Sequence, residues 1–314
     1  MTLVQLEYII ALDIYRNFSV AAEKSFVTQP TLSMQIQKLE KELGIQIFDR
    51  SKKPITVTDP GKEVIELAGN VINGIKAINN ILDDHRKEIK GNLRVAIIPT
   101  LAPYLLPLFL QSFIKKYPEV NLKIIELTTE GILDHLKKNQ IDAGLLVTPL
   151  ESSNFVVHPL FNEEFVIYTS KAASLFMHDE ILINQIDLDD LWLLEEGHCF
   201  RSQIINLCER QKKSKGKKMF QYEAGSIETL KKMVERNQGT TILPELATLD
   251  FKPSQLKFVK RFKSPVPVRE VSLITNNNFA KRRLIEVFSD GIIAKVPSKL
   301  LEKKKQKVVS ININ

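Results

Sequence analysis

The chain has 314 residues, 44% apolar and 26% charged, which is enough for two or three domains with sizeable cores and too apolar for a disordered protein. Two cysteines are too few for a secreted disulfide scaffold, no apolar run approaches the ~18 residues of a membrane span, and Met1 to Ile10 has no basic-then-apolar leader. A cytoplasmic protein without a membrane partner is expected, and a formal charge of +7 permits an anionic one.

Leu3, Leu6, Ile9 and Ile10 predict an amphipathic helix ending near Asn17, and Ser19 is read as the cap of a short helix over Val20 to Lys24. Thr28 then caps, and Pro30 opens, a helix that runs to Leu43 and stops at Gly44. Leu32, Ile36, Leu39 and Leu43 are read as its buried face. Its open face presents Thr31, Ser33, Met34, Gln35, Gln37, Lys38 and Lys41, small polar, amide and basic groups of the kind that read base edges and phosphates. With Thr28, Gln29 and Pro30 at its start, this is a candidate recognition helix in a helix-turn-helix; a merely solvated polar face is the alternative. Next, Ile45, Ile47 and Phe48 lead into Arg50, Lys52 and Lys53 and then Ile55 to Thr58, two short strands around a basic tip. Such a wing would set its cations on phosphates or in the minor groove of double-stranded DNA.

Asp59, as cap, and Pro60 open a long helix on which Val64, Ala68, Val71, Ile75, Ile78 and Leu82 recur at spacings of four, three, four, three and four. That narrow seam predicts pairing with a second copy of the chain, with packing on its own domain as the alternative. A dimer would place two recognition helices on one duplex, so the operator should be a partial palindrome. Gly91 and Asn92 are expected to end the helix.

From there strand and helix signals alternate. Leu93 to Ile98, Val120 to Ile124 and Ile141 to Val147 read as strands, with helices over Pro103 to Lys116 and Gly131 to Lys138 between them, a βαβαβ order that implies a parallel sheet. A second pass begins near Phe165 and runs through the cysteine segment, a helix after Ser226 and Thr241 to Pro244. Val271 to Ile274 and a helix over Ala280 to Phe288 return to the first lobe.

Cys199 and Cys208 are the only cysteines and sit nine positions apart. A helix after Gly197 would put Cys199 at its N-terminus beside His198 and Arg201, where the end dipole and cations favour thiolate, and would hold Cys208 with Ile204 and Ile205 in apolar surroundings that keep a thiol protonated. Nine helical rises separate the Cα atoms by roughly 13 Å, against about 7 Å for the longest disulfide. Pairing therefore requires the segment to unwind, and closing a loop of this length returns roughly 2.5 to 3 kcal/mol in the chain-entropy picture. Spacing alone leaves two readings open, a redox pair and two ordinary buried cysteines.

Ala21 and Ala22, Thr28 to Ser33, Leu39 to Gly44 and Phe48 to Arg50 resemble the winged helix-turn-helix of LysR-type transcriptional regulators. The resemblance implies a linker helix and a two-lobed, periplasmic-binding-protein-like effector domain. It divides the α/β chain into a DNA-binding domain (1–58), a linker helix (59–90), an effector domain (91–302; lobe I 91–161 and 267–302, lobe II 162–266) and a basic tail (303–314). Within the family, Ile98 to Thr100, Pro103 to Pro107, Pro159 to Phe161, Leu194 to Cys199 with Cys208, Ser226 to Leu230 and Leu243 to Pro244 are similar to the hydrogen peroxide-sensing members. That likeness implies Cys199 as the thiol attacked by peroxide and Cys208 as its resolving partner in a reversible disulfide. It also implies a peroxide pocket of Thr100, Thr129, His198, Arg201 and Arg269, activation of antioxidant genes, RNA polymerase as partner, and a dimer assembling into a tetramer. Ser202 departs from the pattern, standing where an acidic residue is expected. The alternative is a LysR-type regulator responding to a small metabolite in the cleft.

An enzyme is not expected, since no further catalytic constellation accompanies the cysteines. His85, His135, His158, His178 and His198 are not at zinc spacing with them, and no glycine-rich phosphate loop occurs, so neither metal nor cofactor is predicted. The basic run Lys212 to Lys218 reads as a solvated loop, and the tail from Lys303 to Asn314 as frayed.

Overall fold

The computed structural model describes residues 1–85, 89–150, 155–195, 199–208, 223–236, 239–276, 281–302 and 306–309. Two compact units divide the chain, one of Met1–Glu88 with Lys137–Gln140 and Asn278–Arg282, the other of Ile89–Leu136, Ile141–Asn277 and Arg283–Asn314.

The first unit is built from α1 (Leu3–Tyr15), α2 (Phe18–Lys24), α3 (Gln29–Leu43), the strands β1 (Phe48–Asp49) and β2 (Thr56–Val57), and α4 (Asp59–His85). Leu6, Ile9 and Leu12 of α1 pack with Ala21, Ala22, Leu32, Ile36, Leu39, Ile47 and Phe48 into one core. The small alanines of α2 let the helices approach closely. Thr28 caps α3 by accepting from the Thr31 amide, and Gly44 ends it in the left-handed region that glycine enters without steric cost. α2 starts earlier than the Ser19 cap implied. Arg16 turns left-handed, leaving Asn17 extended with its side chain accepting from the amides of Ser19 and Val20, so Asn17 is the cap. The cap of α4 likewise shifts from Asp59 to Thr58, whose hydroxyl accepts from the Gly61 amide at 3.1 Å and donates to the Gln46 carbonyl at 2.6 Å.

The predicted seam on α4 divides in two. Ala68 is buried with Ile72 in the core of its own unit, and Val64 and Ile65 pack against that core. Packing on α1 therefore takes the first part of the seam. The row left outside is Leu67 and Val71, 64% and 46% exposed, with Gly74 one turn on. Ile75 is partly buried, and the side chains of Ile78 and Leu82 lie outside the described residues.

The second unit runs β3 (Gly91–Ile97), α5 (Ala102–Lys116), β4 (Val120–Glu126), α6 (Thr129–Lys137), β5 (Ala143–Thr148), β6 (Phe155–Thr169), β7 (Glu180–Ile181) and β8 (Leu193–Leu194). It continues with α7 (Cys199–Cys208), β9 (Glu223–Ala224), α8 (Ile227–Arg236), β10 (Thr240–Pro244), α9 (Pro253–Leu256), β11 (Val259–Phe262), β12 (Val266–Asn276), α10 (Arg282–Ile293), α11 (Ser298–Leu301) and β13 (Gln306–Val308). Gly91 opens β3 rather than ending α4, whose described residues run to His85.

Strand order in the large sheet is β4-β3-β5-β12-β6-β11-β7, with β10 also on β6 and β13 on β12. The predicted parallel set holds for β3 with β4 and β5. β12 is antiparallel to both β5 and β6. β6 is one strand of 15 residues where only its last third, from Phe165, was expected. Residues 155–164 pair with β12, and the last third, from Phe165, with β10 and β11. The two long strands thus run side by side over residues 155–164 and 268–276, and Glu163 faces Arg269 in that register.

The tail does not fray throughout as expected. Residues 306–308 pair in parallel with Val266 to Val268, and Val309 is buried in the core around β6 and α7. Of the apolar pair inside this basic stretch, Val309 is buried and Val308 stays 43% exposed. Residues 303–305 and 310–314 lie outside the described residues, as does the Lys212 to Lys218 run.

Candidate redox site and nucleic-acid interface

Cys199 is the first residue of α7 and Cys208 the last, and both are free thiols. Phe200, Gln203, Ile204, Leu207 and Cys208 make the buried face, at spacings of three, one, three and one that keep one side of a helix inward. Ile205, expected on that face, is only partly buried, and Leu207 takes its place because position 207 stacks one turn beyond 203 and 204. Phe200 meets Phe165 edge to face at 5.4 Å, which seats the helix on β6.

Around Cys199 the described groups come from four elements. Arg269, on β12 and 0% exposed, donates through Nε to Glu163 Oε2 at 2.8 Å and through its two terminal nitrogens to the Thr100 hydroxyl at 3.1 Å and carbonyl at 3.2 Å. Its guanidinium carbon lies 5.3 Å from the centre of the Phe200 ring. Glu163 is also fully buried, and its other oxygen accepts from the Leu246 amide at 2.8 Å. A buried arginine needs such a counter-charge and a full set of acceptors. Burial pushes the Glu163 carboxyl up, while Arg269 and the Leu246 amide pull it down. Thr129 opens α6 with a buried hydroxyl that makes no complete hydrogen bond, yet acts on the Cys199 sulfur in favour of its anion.

The thiols differ as the helix ends differ, though not in the way the sequence implied. Burial is the largest influence on Cys199 and raises its pKa; Thr129, Arg269 and the amides of Phe200 and Cys199 at the start of the helix oppose it without overcoming it. The groups expected to favour the anion are thus in place, but burial, which the sequence reading left out, works against them and sets the net direction upward. Cys208 has burial alone, and is pushed up to about 11.

Of the predicted pocket, Thr129 and Arg269 act on Cys199, and Thr100 holds Arg269. Arg201 does not act on the sulfur: its guanidinium donates to the Leu194 carbonyl at 2.8 Å and pairs with Glu223 at 2.7 Å. One residue pair along the helix from Cys199, it points across β8 and β9 instead. His198 lies outside the described residues. Glu163 was missed, although a lone arginine in the apolar run Val266 to Ile274 signals a buried counter-charge, and the Glu163-Glu164 pair beside Phe165 to Tyr168 supplies the candidates.

In the first unit, Thr28, Gln29, Pro30, Met34 and Lys38 are exposed along α3, and Thr31, Ser33 and Gln35 partly so. The Thr28 and Thr31 hydroxyls bond each other at 2.8 Å, and Gln35 accepts from Gln5 at 3.2 Å. On the wing, Arg50 pairs with Glu40 at 2.8 Å and covers the Phe18 ring, so it braces the hairpin as well as facing outward. Lys52 is 3.8 Å from Asp49, and Lys53 is exposed. Phe26, in the turn before α3, was not singled out; it is 96% exposed in a left-handed conformation with φ 55°.

Among the described residues no group of histidines, cysteines and carboxylates could hold a metal ion, and no helix is long and apolar enough to cross a membrane.

Comparison with known proteins matches residues 3–62 to the bacterial regulatory helix-turn-helix of the lysR family and residues 86–296 to the LysR substrate binding domain. The chain belongs to the LysR family of transcriptional regulators. Within the family it is similar to OxyR: it is 31% identical over 299 residues, 95% of this chain and 98% of the other, to the hydrogen peroxide-inducible genes activator of Haemophilus influenzae. To the DNA-binding transcriptional dual regulator OxyR of Escherichia coli it is 29% identical over 297 residues, 94% of this chain and 96% of that one. A full-length OxyR variant from Pseudomonas aeruginosa superposes with a TM-score of 0.79 at 31% identity, over 93% of this chain and 98% of that one. Reduced OxyR from Porphyromonas gingivalis gives 0.62 at 32%, over 69% and 100%.

Proposed function

We propose that the chain is a DNA-binding transcriptional activator that senses hydrogen peroxide through a reversible Cys199–Cys208 disulfide. The observation that carries this reading is the placement of the two thiols at opposite ends of one helix, with Arg269, Thr129 and the helix amides around the first and, among the described residues, apolar packing around the second. Full-length similarity to hydrogen peroxide-inducible activators supports it.

In the chemistry, the Cys199 sulfur gives up its proton and attacks one peroxide oxygen. The O–O bond breaks, and the leaving hydroxide takes a proton to become water. Cys199 is left as a sulfenic acid. Arg269, held by Glu163 and Thr100, stabilises the anion through which this step passes, and Thr129 can donate to it. Cys208 then attacks the sulfenic sulfur, forming the S–S bond and releasing the second water. Two thiols and one peroxide become one disulfide and two waters. Because roughly 13 Å of helix separates the Cα atoms, α7 must unwind, and that change is the signal passed on.

On the DNA side, Gln29, Pro30, Ser33, Met34 and Lys38 would enter the major groove and Lys52 and Lys53 meet phosphates. The outward row of Leu67 and Val71 would pair two copies on a partially palindromic operator. Contact with RNA polymerase, assembly to a tetramer, residence in the cytoplasm and the domain limits 58, 90 and 302 follow from the same reading.

Mass spectrometry of the full-length chain after micromolar peroxide should find Cys199 joined to Cys208, and Cys199→Ser should abolish peroxide-dependent transcription from a responsive promoter. Cys208→Ser should leave a sulfenic acid at Cys199 that dimedone traps. A Cys199→Ser chain that still responds normally would refute the proposal.

A further inference from the structure

The C-terminal segment reaches the redox helix. Gln203 lies halfway along α7, 0% exposed, and its Nε2 donates to the Val309 carbonyl at 3.0 Å. Val309 in turn donates its amide to the Val268 carbonyl at 2.9 Å, next to Arg269, and its side chain is buried among residues that include Phe200, Ile204, Leu207 and Cys208. Residues 306–308 are laid along Val266 to Val268 as a parallel strand, which fixes where Val309 sits. One short segment therefore bridges the strand that carries Arg269 and the middle of the helix that carries both thiols.

We propose that residues 306–309 act as a strap that holds α7 in its helical dithiol form, and that Gln203 is the positioning residue through which the strap sets how readily the cysteines pair. This rests on the reading of Cys199 and Cys208 as a redox pair. For the sulfur atoms to meet, the helix between them must unwind, and Gln203 stands at its centre. The bond to Val309 is then lost, and the core that Val309 shares with Phe200, Ile204 and Leu207 is disturbed. The strap thus favours the reduced state selectively, because its partners on α7 exist as one face only while the helix is intact. The Gln203 Oε1 atom is buried without a hydrogen-bond partner among the described residues, so the amide is held by the single Val309 bond. Removing that bond leaves the helix with less to lose on unwinding.

The test is a redox titration of the full-length chain in glutathione buffers, where dithiol plus oxidised glutathione gives disulfide plus two reduced glutathione molecules. Trapped Cys199–Cys208 disulfide is quantified by mass spectrometry. A chain ending at Lys305 and full-length Val309→Asp should each shift the equilibrium about tenfold toward disulfide, a midpoint about 30 mV lower, while Val309→Ile stays at the wild-type value. Val309→Asp serves if the shortened chain does not fold. A midpoint that stays put in both variants, with the wild-type disulfide forming normally, overturns the strap and leaves the sensor intact; a strap that merely aided folding would lower thermal stability in both redox states and give that result. Failure of the wild-type chain to form the disulfide at all overturns both.

Discussion

The two ends of α7 carry the same chemical group in opposite settings. At the N-terminal end Cys199 is buried against a cation, a hydroxyl and the first amides of the helix, so burial and stabilisation of the anion contend. At the C-terminal end Cys208 sits in the apolar core, and among the described residues only burial acts on it. The difference teaches that readiness to react need not mean a standing thiolate. It can consist of anion-stabilising groups fixed in advance around a thiol whose burial opposes ionisation.

The largest effect should come from breaking the charged end. Arg269→Met leaves the Glu163 carboxyl buried without its counter-charge, and should cost about 3–5 kcal/mol by urea denaturation. Adding Glu163→Gln should recover part of that loss, since neither member is then an isolated charge. No recovery would mean that Arg269 acts by packing on Phe200 rather than by charge.

Exchanging each sulfur for oxygen sharpens the contrast. Cys208→Ser puts a hydroxyl into an apolar seat and should cost about 1–3 kcal/mol, whereas Cys199→Ser, near Thr129 and the helix amides, should cost less than about 1 kcal/mol. Equal losses in the reduced proteins would erase the distinction between the two ends.

Titration gives a third, smaller handle. The Cys208 pKa is raised from 9.0 to about 11, so the folded chain holds that proton more tightly than the unfolded one. The corresponding stability is fully present below about 9 and is lost as pH rises through about 11, on the order of 2 kcal/mol in all. The denaturation midpoint of the reduced wild type should fall over that window more than that of Cys208→Ala. Parallel curves for the two proteins would show that Cys208 is not silenced by burial. The smallest effect on stability, under about 1 kcal/mol, is expected of Thr129→Val, which removes a buried hydroxyl that makes no complete hydrogen bond. Stopped-flow oxidation should nonetheless slow several-fold, because one group favouring the anion is gone.

Much of the DNA-binding unit was legible because its signals are local: Thr28, Pro30 and Gly44 bound α3 by backbone chemistry that four residues can express. The cysteine helix was legible for the same reason, with Cys199 in its first turn. What escaped depends on distant partners. Nothing near Val64 or Ala68 says that α1 will claim them and leave Leu67 and Val71 outside. Arg269 could be placed, but not its bond to Glu163, because the pairing spans two strands whose register the sequence does not announce. Proximity in sequence also misled at Arg201, which is close to Cys199 along the chain and turned to Glu223 in space. The net direction of the Cys199 shift was out of reach too, since burial is a property of the assembled lobes.

The measurement that bears most directly on the account is amide hydrogen exchange over residues 200–207, taken with disulfide mapping on the same sample before and after dilute peroxide. Formation of the Cys199–Cys208 bond together with loss of protection across the segment is the predicted result. A crosslink with helical protection unchanged, or no crosslink in intact protein, would contradict it.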